Sequence, residues 1–520
     1  MEALSADGPA RAGGGALVFV GFMGAGKSTA ARRAAAELGV EALDSDRLLE
    51  ERLGESIESF FDREGEPAFR TREEELALEL LAREDARVIA LGGGTVGSER
   101  VRAALRGHTV VQLEIGADDA WHRASGKGRP LARDRGRFDE LHAERAALYE
   151  SIADAVLPPG ERETRQRALP ALVALRDARA AGIDGLRMIW AEAASGAYPV
   201  FFGRGLVAAG FDYPRDGRRF VVTDEQVAAH HRVEGEQTIE IPAGERHKTL
   251  ATAERVLGEL ARSGAERGDI VVAVGGGVVG DLAGFCAAIY QRGARHVQVP
   301  TTLVAQVDSA YGGKTGVDLA EGKNYAGAYH QPSAVICDPG TLETLPAVEL
   351  AAGYAEVVKT ALIAGGPLWA QVRRGGPVDD DAILGCLRTK LAVVAADERD
   401  SGRRQVLNLG HTVAHAIESA TAYARYRHGE AVAIGLLATL RLSGADALRD
   451  EVARLLEQHG LPLTFTGATV DEVVALTERD KKREGGRVPF VLLQAPGDVT
   501  PGHAVDPGDL RAAVAELHAG

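Results

Sequence analysis

A glycine-rich loop near the N-terminus constrains the fold of this chain more than any other feature. The residues from Gly21 to Ser28 read GFMGAGKS, and they stand between a strand-like apolar segment and a helical one. In that setting the glycines let backbone N–H groups approach phosphate oxygens, Lys27 reaches the terminal phosphates and Ser28 can bind Mg²⁺. The sequence therefore predicts a strand–loop–helix unit that binds a nucleoside triphosphate.

Strand patterns alternate with amphipathic helix patterns over most of the chain, which is typical of α/β domains with parallel sheets. The first alternating region ends at a Pro–Pro–Gly break, a second begins near residue 186, and after residue 341 the pattern becomes helical. For 520 residues, several domains are expected. We predict a disordered N-terminus (1–15), a P-loop domain with a parallel sheet (16–170), a linker (171–185), a Rossmann-like α/β domain (186–340) and a helical C-terminal domain (341–520).

Composition narrows the classes of function. The formal net charge of -15 argues against nonspecific binding to nucleic acids or acidic membranes. The chain has three cysteines, Cys286, Cys337 and Cys386, which are far apart and form no CxxC pair. Neither a disulfide framework nor a cysteine metal site is therefore expected. The N-terminus lacks the pattern of a signal peptide, and no apolar run reaches the roughly 18 residues of a membrane span. We expect a cytoplasmic protein whose partners are small molecules.

Residues suited to holding the acceptor of a phosphoryl group follow the phosphate loop in order. Asp44 and Asp46 come directly after the second strand pattern, where one carboxylate can serve Mg²⁺ and the other an acceptor hydroxyl. Arg70 lies on a predicted helix, and Gly92–Gly94 follows a strand and allows a ligand to approach the backbone closely. Two further arginines follow. Arg129 lies in a polar stretch that suits a mobile lid, and Arg145 lies on a later predicted helix.

In their order and spacing these residues resemble the shikimate kinase family over residues 16–170. The resemblance implies that ATP is bound by Gly24, Ala25, Gly26, Lys27, Ser28, Thr29 and Arg129. It implies Mg²⁺ at Ser28 and Asp44, and shikimate at Asp46, Arg70, Gly93 and Arg145. The catalytic roles would fall to Lys27, Asp46 and Arg129, with Asp46 orienting the attacking hydroxyl and Arg129 stabilising the transferred phosphoryl group.

A second glycine-rich turn, VGGGVVGD, follows an apolar strand pattern and begins a helix at residues 274–281. Its glycines permit the close approach of a pyrophosphate, as in dinucleotide sites. A polar run from Pro300 to Pro332 follows, with Thr301, Thr302 and two lysines, Lys314 and Lys323, in glycine-rich surroundings. Together these segments favour a site for a dinucleotide cofactor and a phosphorylated ligand.

Two histidines four residues apart, His411 and His415, lie on one face of a predicted helix, and His428 follows shortly after. Glu356 and Lys359 lie three apart in an apolar helix, where an unpaired charge would be costly. A metal or an anionic substrate is therefore the better explanation for this pair. Glu356 with two histidines supplies three ligands and leaves coordination positions open, as in catalytic zinc sites.

Across residues 186–520 the motifs together resemble the 3-dehydroquinate synthase family. The resemblance implies a homodimer through this half and Zn²⁺ (or Co²⁺) at Glu356, His411 and His428. It implies NAD contacts at Asp224, Ala243, Gly244, Glu245, Arg246, His247, Lys248, Gly277, Val278, Val279, Gly280, Asp281, Thr301, Thr302, Lys314, Lys323, Thr341, Leu342, Glu343 and Thr344. The substrate, 3-deoxy-arabino-heptulosonate 7-phosphate, would be held by Arg292, Asp308, Lys314, Asn324, Lys359, Lys390, Arg404, Asn408, His415 and Lys481, with catalytic roles for Lys314, Asp400 and His415.

The chain is thus expected to be a bifunctional enzyme with two nonconsecutive steps of one biosynthetic pathway. The resemblance implies that NAD⁺ oxidises the C5 hydroxyl, phosphate is eliminated, the hydride is returned, and the opened ring closes by an aldol step. Zinc would act as a Lewis acid at the hydroxyl, and His415 would assist proton transfer. The kinase half would phosphorylate shikimate with Mg²⁺ and ATP.

Two alternatives stand beside this interpretation. In the first, the C-terminal half is another sugar-phosphate cyclase that acts on a different phosphorylated sugar, since Tyr311, Tyr325 and Tyr329 depart from the family pattern at positions that could alter the substrate. The basic residues and Asn324 favour a carboxylated substrate instead. The N-terminal half could be a non-catalytic nucleotide-binding module, but a sensor needs no acceptor residues such as Asp46.

Overall fold

The computed structural model describes residues 15–125, 130–159, 166–481 and 490–519, with the backbone alone at residues 130 and 478–481. Contacts divide the chain into two compact units. Unit 1 comprises Met1–Ala191 and Ala197–Pro214, and unit 2 comprises Glu192–Gly196 and Arg215–Gly520. Most of the N-terminal segment that we predict to be disordered, residues 1–14, lies outside the described residues.

Unit 1 is built on a parallel sheet of short, buried apolar strands. The strands are β1 (Leu17–Val20), β2 (Ala42–Asp44), β3 (Val88–Ala90), β4 (Thr109–Leu113), β5 (Ala155–Leu157), β6 (Arg187–Ala193) and β7 (Gly196–Phe202). Their spatial order is β2-β3-β1-β4-β5-β6-β7, and the pairs from β2 to β6 are parallel. Because parallel strands end at one edge, the loops after β1, β2 and β3 lie side by side.

Helices connect these strands. They are α1 (Lys27–Leu38), α2 (Ser45–Leu53), α3 (Ile57–Ala82), α4 (Glu99–Leu105), α5 (Ala117–Ala124), α6 (Arg135–Ile152) and α7 (Leu169–Ala180). The long helix α3 is kinked at Gly65, whose φ of 83° is not helical, and Pro67 follows the kink. The first turn of a helix tolerates proline, because an N–H group there would have no partner within the helix. Pro67 therefore lies in the first turn of the second part of α3.

Unit 2 contributes five parallel strands to the sheet, in the order β14-β11-β10-β8-β9. Its strands are β8 (Arg219–Asp224), β9 (Gln237–Ile241), β10 (Ile270–Gly275), β11 (Arg295–Pro300) and β14 (Ala334–Cys337). Two antiparallel hairpins accompany it: β12 (Lys314–Leu319) with β13 (Gly322–Tyr329), and β15 (Phe490–Ala495) with β16 (Asp498–His503). The sheet packs on α9 and α10 around an apolar core that includes Phe220, Val256 and Leu282.

The rest of unit 2 is helical. Its helices are α8 (Glu225–Ala228), α9 (Leu250–Arg262), α10 (Gly277–Ile289), α11 (Ala347–Ala364), α12 (Gly366–Val372), α13 (Asp380–Ala396), α14 (His411–Ala420), α15 (His428–Leu442), α16 (Asp446–Gln458), α17 (Val470–Lys481) and α18 (Pro507–Ala515). Two glycines let these helices approach closely: a Cβ at Gly435 would overlap Gly410 O, and one at Gly429 would overlap Ala352 O. The starts of α14 and α15 are thereby held beside α11.

The predicted fold class is confirmed: a P-loop α/β domain with a parallel sheet is followed by a Rossmann-like sheet and a helical region. Among the described helices, none combines the length and the apolar character that crossing a membrane requires.

Candidate active sites

The phosphate loop connects β1 to α1 through glycines in left-handed backbone conformations. Gly24 has a φ of 80°, and Gly26, the N-cap of α1, has a φ of 87°. These angles favour glycine, and they turn the first N–H groups of the helix toward the loop. Lys27 Nζ donates to Gly21 O at 2.9 Å, so its ammonium group lies over the same loop. Ser28 occupies the first turn of the helix.

The residues after β2 and β3 converge at the same edge of the sheet. A Cβ at Gly92 would lie 2.7 Å from Asp46 Oδ1, and one at Gly94 would overlap Arg70 Nη1. Only glycine leaves room for the carboxylate and the guanidinium at these positions. Asp44 ends β2 and caps α2, accepting from the N–H of Asp46 at 3.1 Å. The structure therefore brings Asp46 and Arg70 to one glycine segment.

Gly93 is the point where this segment meets the phosphate loop. Its carbonyl accepts from Tyr149 Oη at 2.6 Å and from Arg145 Nη1 at 3.2 Å. A Cβ placed at Gly93 would lie 3.7 Å from Lys27 Nζ. The predicted acceptor residues thus surround a space next to the lysine of the nucleotide loop. Arg129, the predicted lid arginine, lies outside the described residues.

Glu73 holds the Arg70 guanidinium in place. Arg70 Nη1 donates to Glu73 Oε2 at 2.6 Å, and Nη2 donates to Glu66 Oε1 at 3.1 Å. Glu73 is buried, and burial raises the pKa of its carboxyl group, an effect that the charge of Arg70 offsets only in part. The pair is therefore a charge-assisted contact that fixes the direction in which Arg70 points.

Replacing Glu73 by Gln should raise the KM for shikimate about tenfold, because losing the ionic contact to Arg70 costs about 1.4 kcal/mol. We expect a smaller fall in kcat and an unchanged KM for ATP in steady-state assays. Glu75→Gln is the matched control, since Glu75 is exposed on the same helix and pairs with Arg72. An unchanged KM for shikimate in Glu73→Gln would contradict the role given to Glu73.

In unit 2 the predicted cofactor residues lie in loops at the carboxyl ends of parallel strands. Asp224 ends β8, the turn to Gly277 follows β10, Thr301 follows β11 and Thr341 follows β14. The segment after β9 contains the remaining predicted loop residues, 243–248. In open α/β sheets this edge is the crevice in which nucleotides bind. Asp224 also caps α8, accepting from the N–H groups of the first turn.

The turn before α10 is packed too closely for side chains. A Cβ at Gly276 would lie 2.8 Å from Thr302 Cγ2, and one at Gly280 would lie 2.7 Å from Gln298 Oε1. These glycines lie at the N-terminal end of α10, where the positive end of the helix dipole favours an anionic group. Thr301 Oγ1 is buried and has no hydrogen-bond partner among the described residues.

Lys248 joins the cofactor loop to the β12–β13 hairpin. Its buried Nζ lies 2.5 Å from Asp281 Oδ2 and 2.6 Å from Asn324 Oδ1. Burial lowers the pKa of Lys248, but the charges of Asp281 and Glu245 outweigh it and raise the pKa overall. Asn324 has a φ of 56° and donates its N–H to Asp318 Oδ1 at 2.8 Å. The hairpin is thus tied to α10 through one buried ammonium group.

Glu356, His411 and His428 come together from α11, α14 and α15. Glu356 Oε1 lies 3.6 Å from His411 Nε2 and 3.3 Å from His428 Nε2. Both oxygens of Glu356 are buried and lack a well-oriented hydrogen bond within the described residues, although Lys359 Nζ lies 2.5 Å from Oε2. His411 Nδ1 lies 3.2 Å from Leu409 O, so a proton on Nδ1 leaves Nε2 available as a ligand.

The two imidazoles of this cluster have opposite electrostatic surroundings. Burial lowers the pKa of His411 to about 3, and the charge of Lys359 acts in the same direction. Burial also lowers the pKa of His428, but hydrogen bonds and charges from Glu356 and Glu418 outweigh it and raise the pKa to about 10. A neutral His411 is suited to metal ligation, and the carboxylates around His428 favour a cation there.

A row of buried charges continues from the cluster. Lys359 Nζ lies 3.9 Å from Asp308 Oδ1, and Lys390 Nζ lies 2.6 Å from the same oxygen. Burial raises the pKa of Asp308, yet the charges of the two lysines outweigh it and lower the pKa to about 2. Arg404 is buried as well. Two ammonium groups, those of Lys359 and Lys390, thus stand against the carboxylates of Asp308 and Glu356, whereas the Arg404 guanidinium donates to the backbone carbonyls of Gly312 and Glu398. This row of buried cations suits an anionic ligand.

The segment before α14, residues 397–404, is held by hydrogen bonds and an ion pair that involve its aspartates. Asp397 Oδ2 accepts from the N–H groups of Gly402 at 2.7 Å and Arg404 at 3.0 Å. Asp400 has a φ of 61°, which is uncommon for a residue with a side chain, and its carboxylate is paired with Lys314. Lys314, which is predicted to contact cofactor and substrate, is therefore in direct contact with the predicted catalytic residue Asp400, although 86 residues separate them in the sequence.

Arg292 is not brought to the other predicted substrate residues of the same chain. It is exposed beyond the C-terminal end of α10, whereas Gly277 at the N-terminal end lies beside Ser309. A helix of 13 residues separates these ends by roughly 20 Å. Gln291 and Arg292 have φ values of 47° and 67°, a strained backbone of the kind found at functional sites.

The remaining predicted substrate residues have varied settings. Asn408 is exposed three residues before α14, and His415 is exposed on α14 with its ring 5.3 Å from that of His411. The side chain of Lys481 lies outside the described residues. Among these positions, His415 is therefore the one placed beside the Glu356 cluster.

The unusual tyrosines are placed in two different environments. Tyr311 is buried and donates to Gln306 O at 2.8 Å, so its hydroxyl faces the core. Tyr325 is 47% exposed and Tyr329 is 37% exposed, both on β13. Tyr329 Oη donates to Arg399 O at 3.2 Å, next to the segment that contains Asp400. The side chains of Tyr325 and Tyr329, unlike that of Tyr311, are therefore accessible at the surface of the hairpin.

Two residues of these sites are missing from the sequence-based predictions. Tyr149 contacts Gly93, and its spacing of four from Arg145 on α6 indicates that both lie on one helical face. Glu418 is buried beside His428 and follows His415 by three residues on α14. That spacing was the available signal, but a carboxylate at such a position is usually exposed.

Comparison with known proteins gives a family match for each half of the chain. The sequence model of the shikimate kinase family matches residues 23–175, and those of the 3-dehydroquinate synthase N-terminal and C-terminal regions match residues 238–352 and 353–483. The 3-dehydroquinate synthase of Halorhodospira halophila is 43% identical over 335 residues, which are 60% of this chain and 94% of that protein.

Comparison with solved structures gives a match over the C-terminal part of the chain. The structure of 2-epi-5-epi-valiolone synthase from Streptomyces hygroscopicus, with NAD⁺ and Zn²⁺ bound, is 28% identical at a TM-score of 0.55, covering 62% of this chain and 96% of that one. Shikimate kinase from Acinetobacter baumannii in complex with shikimate is 32% identical at a TM-score of 0.30, covering 31% of this chain and 95% of that one.

The fold and the two sites define an enzyme in which a P-loop phosphotransferase is joined to a Rossmann-like cyclase. The chain belongs to the 3-dehydroquinate synthase family and carries a shikimate kinase domain ahead of it. It has both activities: it phosphorylates shikimate, and it converts 3-deoxy-arabino-heptulosonate 7-phosphate to 3-dehydroquinate and phosphate. Both predicted resemblances are confirmed, and the matches favour this function over the two alternatives.

Proposed function

We propose that the kinase activity uses the convergence of residues around Gly93. Lys27 and the backbone N–H groups of residues 24–29 would hold ATP, with Mg²⁺ at Ser28 and Asp44. Shikimate would lie against Asp46, Arg70 and Arg145, whose guanidinium groups suit its carboxylate. The contacts of Gly93 with Arg145 and its proximity to Lys27 support this arrangement, because they place acceptor and nucleotide groups side by side.

For the synthase activity, the supporting observation is the buried Glu356 carboxylate, whose oxygens lack well-oriented hydrogen bonds within the described residues while two imidazole nitrogens lie within reach. This donor set fits Zn²⁺ or Co²⁺, with His411 and His428 as the other ligands. The crevice at the carboxyl ends of β8, β10, β11 and β14 fits NAD⁺. When bound, the metal supplies Lewis-acid polarisation of a substrate hydroxyl and NAD⁺ supplies reversible hydride transfer.

The residues of the chain then hold the substrate and move its protons. Lys359, Lys390 and Arg404 would bind the phosphate and carboxylate groups, and Asp308 fixes the two lysines at their present positions. His415 would take and return a proton at the C5 hydroxyl and in ring opening, since it lies beside the ligand cluster without belonging to it. Lys314, paired with Asp400, would complete the phosphate side of the site.

The synthase half is proposed to act as a homodimer. Arg292 is exposed and strained, and it lies far from the other substrate residues of its own chain. In a homodimer, Arg292 of one chain would contribute to the substrate site of the other chain. We retain the predicted domain limits, with a kinase domain at 16–170, a linker at 171–185 and synthase domains at 186–340 and 341–520. The cytoplasmic location stays a prediction.

The first experiment is to supply the purified chain with Zn²⁺, NAD⁺ and 3-deoxy-arabino-heptulosonate 7-phosphate. We expect release of one phosphate per 3-dehydroquinate formed, identified by mass spectrometry, and loss of this activity when a zinc-selective chelator is added in excess Mg²⁺. Shikimate phosphorylation in the same sample should persist, which controls for damage by the chelator. A different carbocycle, or turnover that resists chelation, would contradict the proposed site.

A further inference from the structure

Glu418 is a buried carboxylate that lies between two functional groups of the synthase site. It is 1% exposed on α14, and its Oε1 lies 3.5 Å from His428 Nδ1 and 3.1 Å from Lys323 Nζ. We infer that Glu418 is a positioning residue that orients the metal ligand His428 and ties it to Lys323 on the cofactor side. This inference rests on the proposed function of the Glu356 cluster as a metal centre.

The first contact fixes the His428 imidazole. A carboxylate beside Nδ1 favours the tautomer with the proton on Nδ1, and the lone pair of Nε2 is then directed at the ligand cluster. In this structure Nε2 does face that way, since it lies 3.3 Å from Glu356 Oε1. The Leu409 carbonyl lies beside His411 Nδ1 and favours a proton on that nitrogen in the same way. Each imidazole thus has a partner on Nδ1 that leaves Nε2 for the metal.

The second contact extends to the cofactor side of the crevice. Lys323 belongs to β13, the hairpin that Lys248 ties to α10. Its Nζ lies 3.6 Å from Glu245 and 4.8 Å from the centre of the Tyr423 ring, so it is held from three sides. Because Glu418 contacts both Lys323 and His428, a shift of the hairpin would change the orientation of the His428 imidazole.

Packing alone does not explain a carboxylate at this position. Glu418 Oε2 is buried and has no hydrogen-bond partner among the described residues, which is a cost to folding. The donor atoms of His415, Glu418 and His428 also lie within 4.8 Å of one another. Direct ligation by Glu418 would use the same donor atoms, and it differs from positioning because it would add Glu418 to the coordination sphere.

The test compares Glu418→Ala and Glu418→Gln with Lys323→Met and with a control, Glu457→Gln, at an exposed position of α16. Zinc dissociation constants are measured by competition with a chromogenic chelator on the full chain. Loss of an outer-shell partner weakens metal binding about 10- to 100-fold, and we expect this for Glu418→Ala, with a smaller effect for Glu418→Gln. Lys323→Met should weaken zinc binding less than Glu418→Ala does, because Glu418 keeps its contact with His428, and it should raise the KM for NAD⁺.

Spectra of the Co²⁺-loaded proteins separate positioning from ligation. The visible bands should keep their positions in Glu418→Gln, because the ligands stay the same, whereas Glu356→Gln should shift them. Zinc affinity equal to that of the unsubstituted chain in both Glu418 variants, with unchanged thermal unfolding, would overturn the inference, as would shifted Co²⁺ bands in Glu418→Gln. Failure of the unsubstituted chain to bind one zinc per synthase site would instead overturn the metal centre itself.

Discussion

Replacing Glu356 by Gln should reduce synthase turnover about a thousandfold or more while shikimate phosphorylation stays unchanged. Glutamine keeps the size of the side chain but removes the charge that faces His411 and His428, and it leaves the Lys359 ammonium, 2.5 Å away, without its carboxylate. Losing the metal removes several kcal/mol of charge stabilisation, and each ~1.4 kcal/mol is a factor of ten in rate. The measurement is 3-dehydroquinate formation at saturating NAD⁺.

The design separates a lost metal from a lost fold. Glu349→Gln is the control, because Glu349 lies on the same helix, is 45% exposed and pairs with Arg427 at the surface. It should keep nearly full synthase activity, as exposed ion pairs contribute about 0–1 kcal/mol. Zinc content is measured in parallel with thermal unfolding. A folded Glu356→Gln protein that keeps both zinc and turnover would refute the assignment of Glu356 as a ligand.

Replacing Asp46 by Asn should lower shikimate phosphorylation about a thousandfold or more and leave synthase turnover unchanged. Asp46 Oδ1 lies at the glycine segment that follows β3, beside Arg70, where an acceptor hydroxyl would be oriented for attack. An amide cannot take a proton, and general-base catalysis contributes about 10²- to 10⁴-fold. Because Lys27 and the phosphate loop are untouched, ATP binding should change by less than about twofold.

ATP binding is measured by titration calorimetry, and phosphoryl transfer by a coupled assay at saturating shikimate. Asp85→Asn is the matched control: Asp85 is 72% exposed and pairs with Arg83 away from the glycine segment. We expect full activity from it. Turnover of Asp46→Asn at the rate of the unsubstituted chain would remove the role given to Asp46 and would reopen the question of which group handles the acceptor proton.

Because one chain carries both activities, each substitution has a control in the other half. A variant that loses both activities has lost its fold or its solubility, whereas a variant that loses one has lost a site. The two reactions are not consecutive: 3-dehydroquinate is not the substrate of the kinase, so no direct transfer of product between the halves is needed to explain the fusion.

Local sequence patterns were sufficient for the elements that carry the sites. Gly24 and Gly26 identify the phosphate loop because glycine is the residue that adopts their left-handed conformations without strain. His411 and His415 are four apart, so a helix places them on one face. The alternation of strands and helices predicts parallel sheets, whose carboxyl ends form crevices regardless of the exact strand order. These signals depend only on nearby residues.

Other features required the tertiary structure. Glu356 lies 55 residues before His411 in the sequence, and their contact depends on Gly429 and Gly435, which let α15 approach α11 and α14. A glutamate at the position of Glu418 in the helical pattern could equally be exposed, so the sequence does not predict that it is buried or that it contacts Lys323. Arg292 was grouped with substrate residues by resemblance, yet the length of α10 separates them within one chain.

The sequence by itself therefore determined the two nucleotide-binding α/β folds, the family and the side chains available for chemistry, because these follow from backbone geometry and short-range spacing. The tertiary structure decided which of those side chains share a buried space, which carboxylates have cations beside them, and which residue orients which ligand. Burial and long-range packing set these contacts, and neither is encoded in any one segment of the chain.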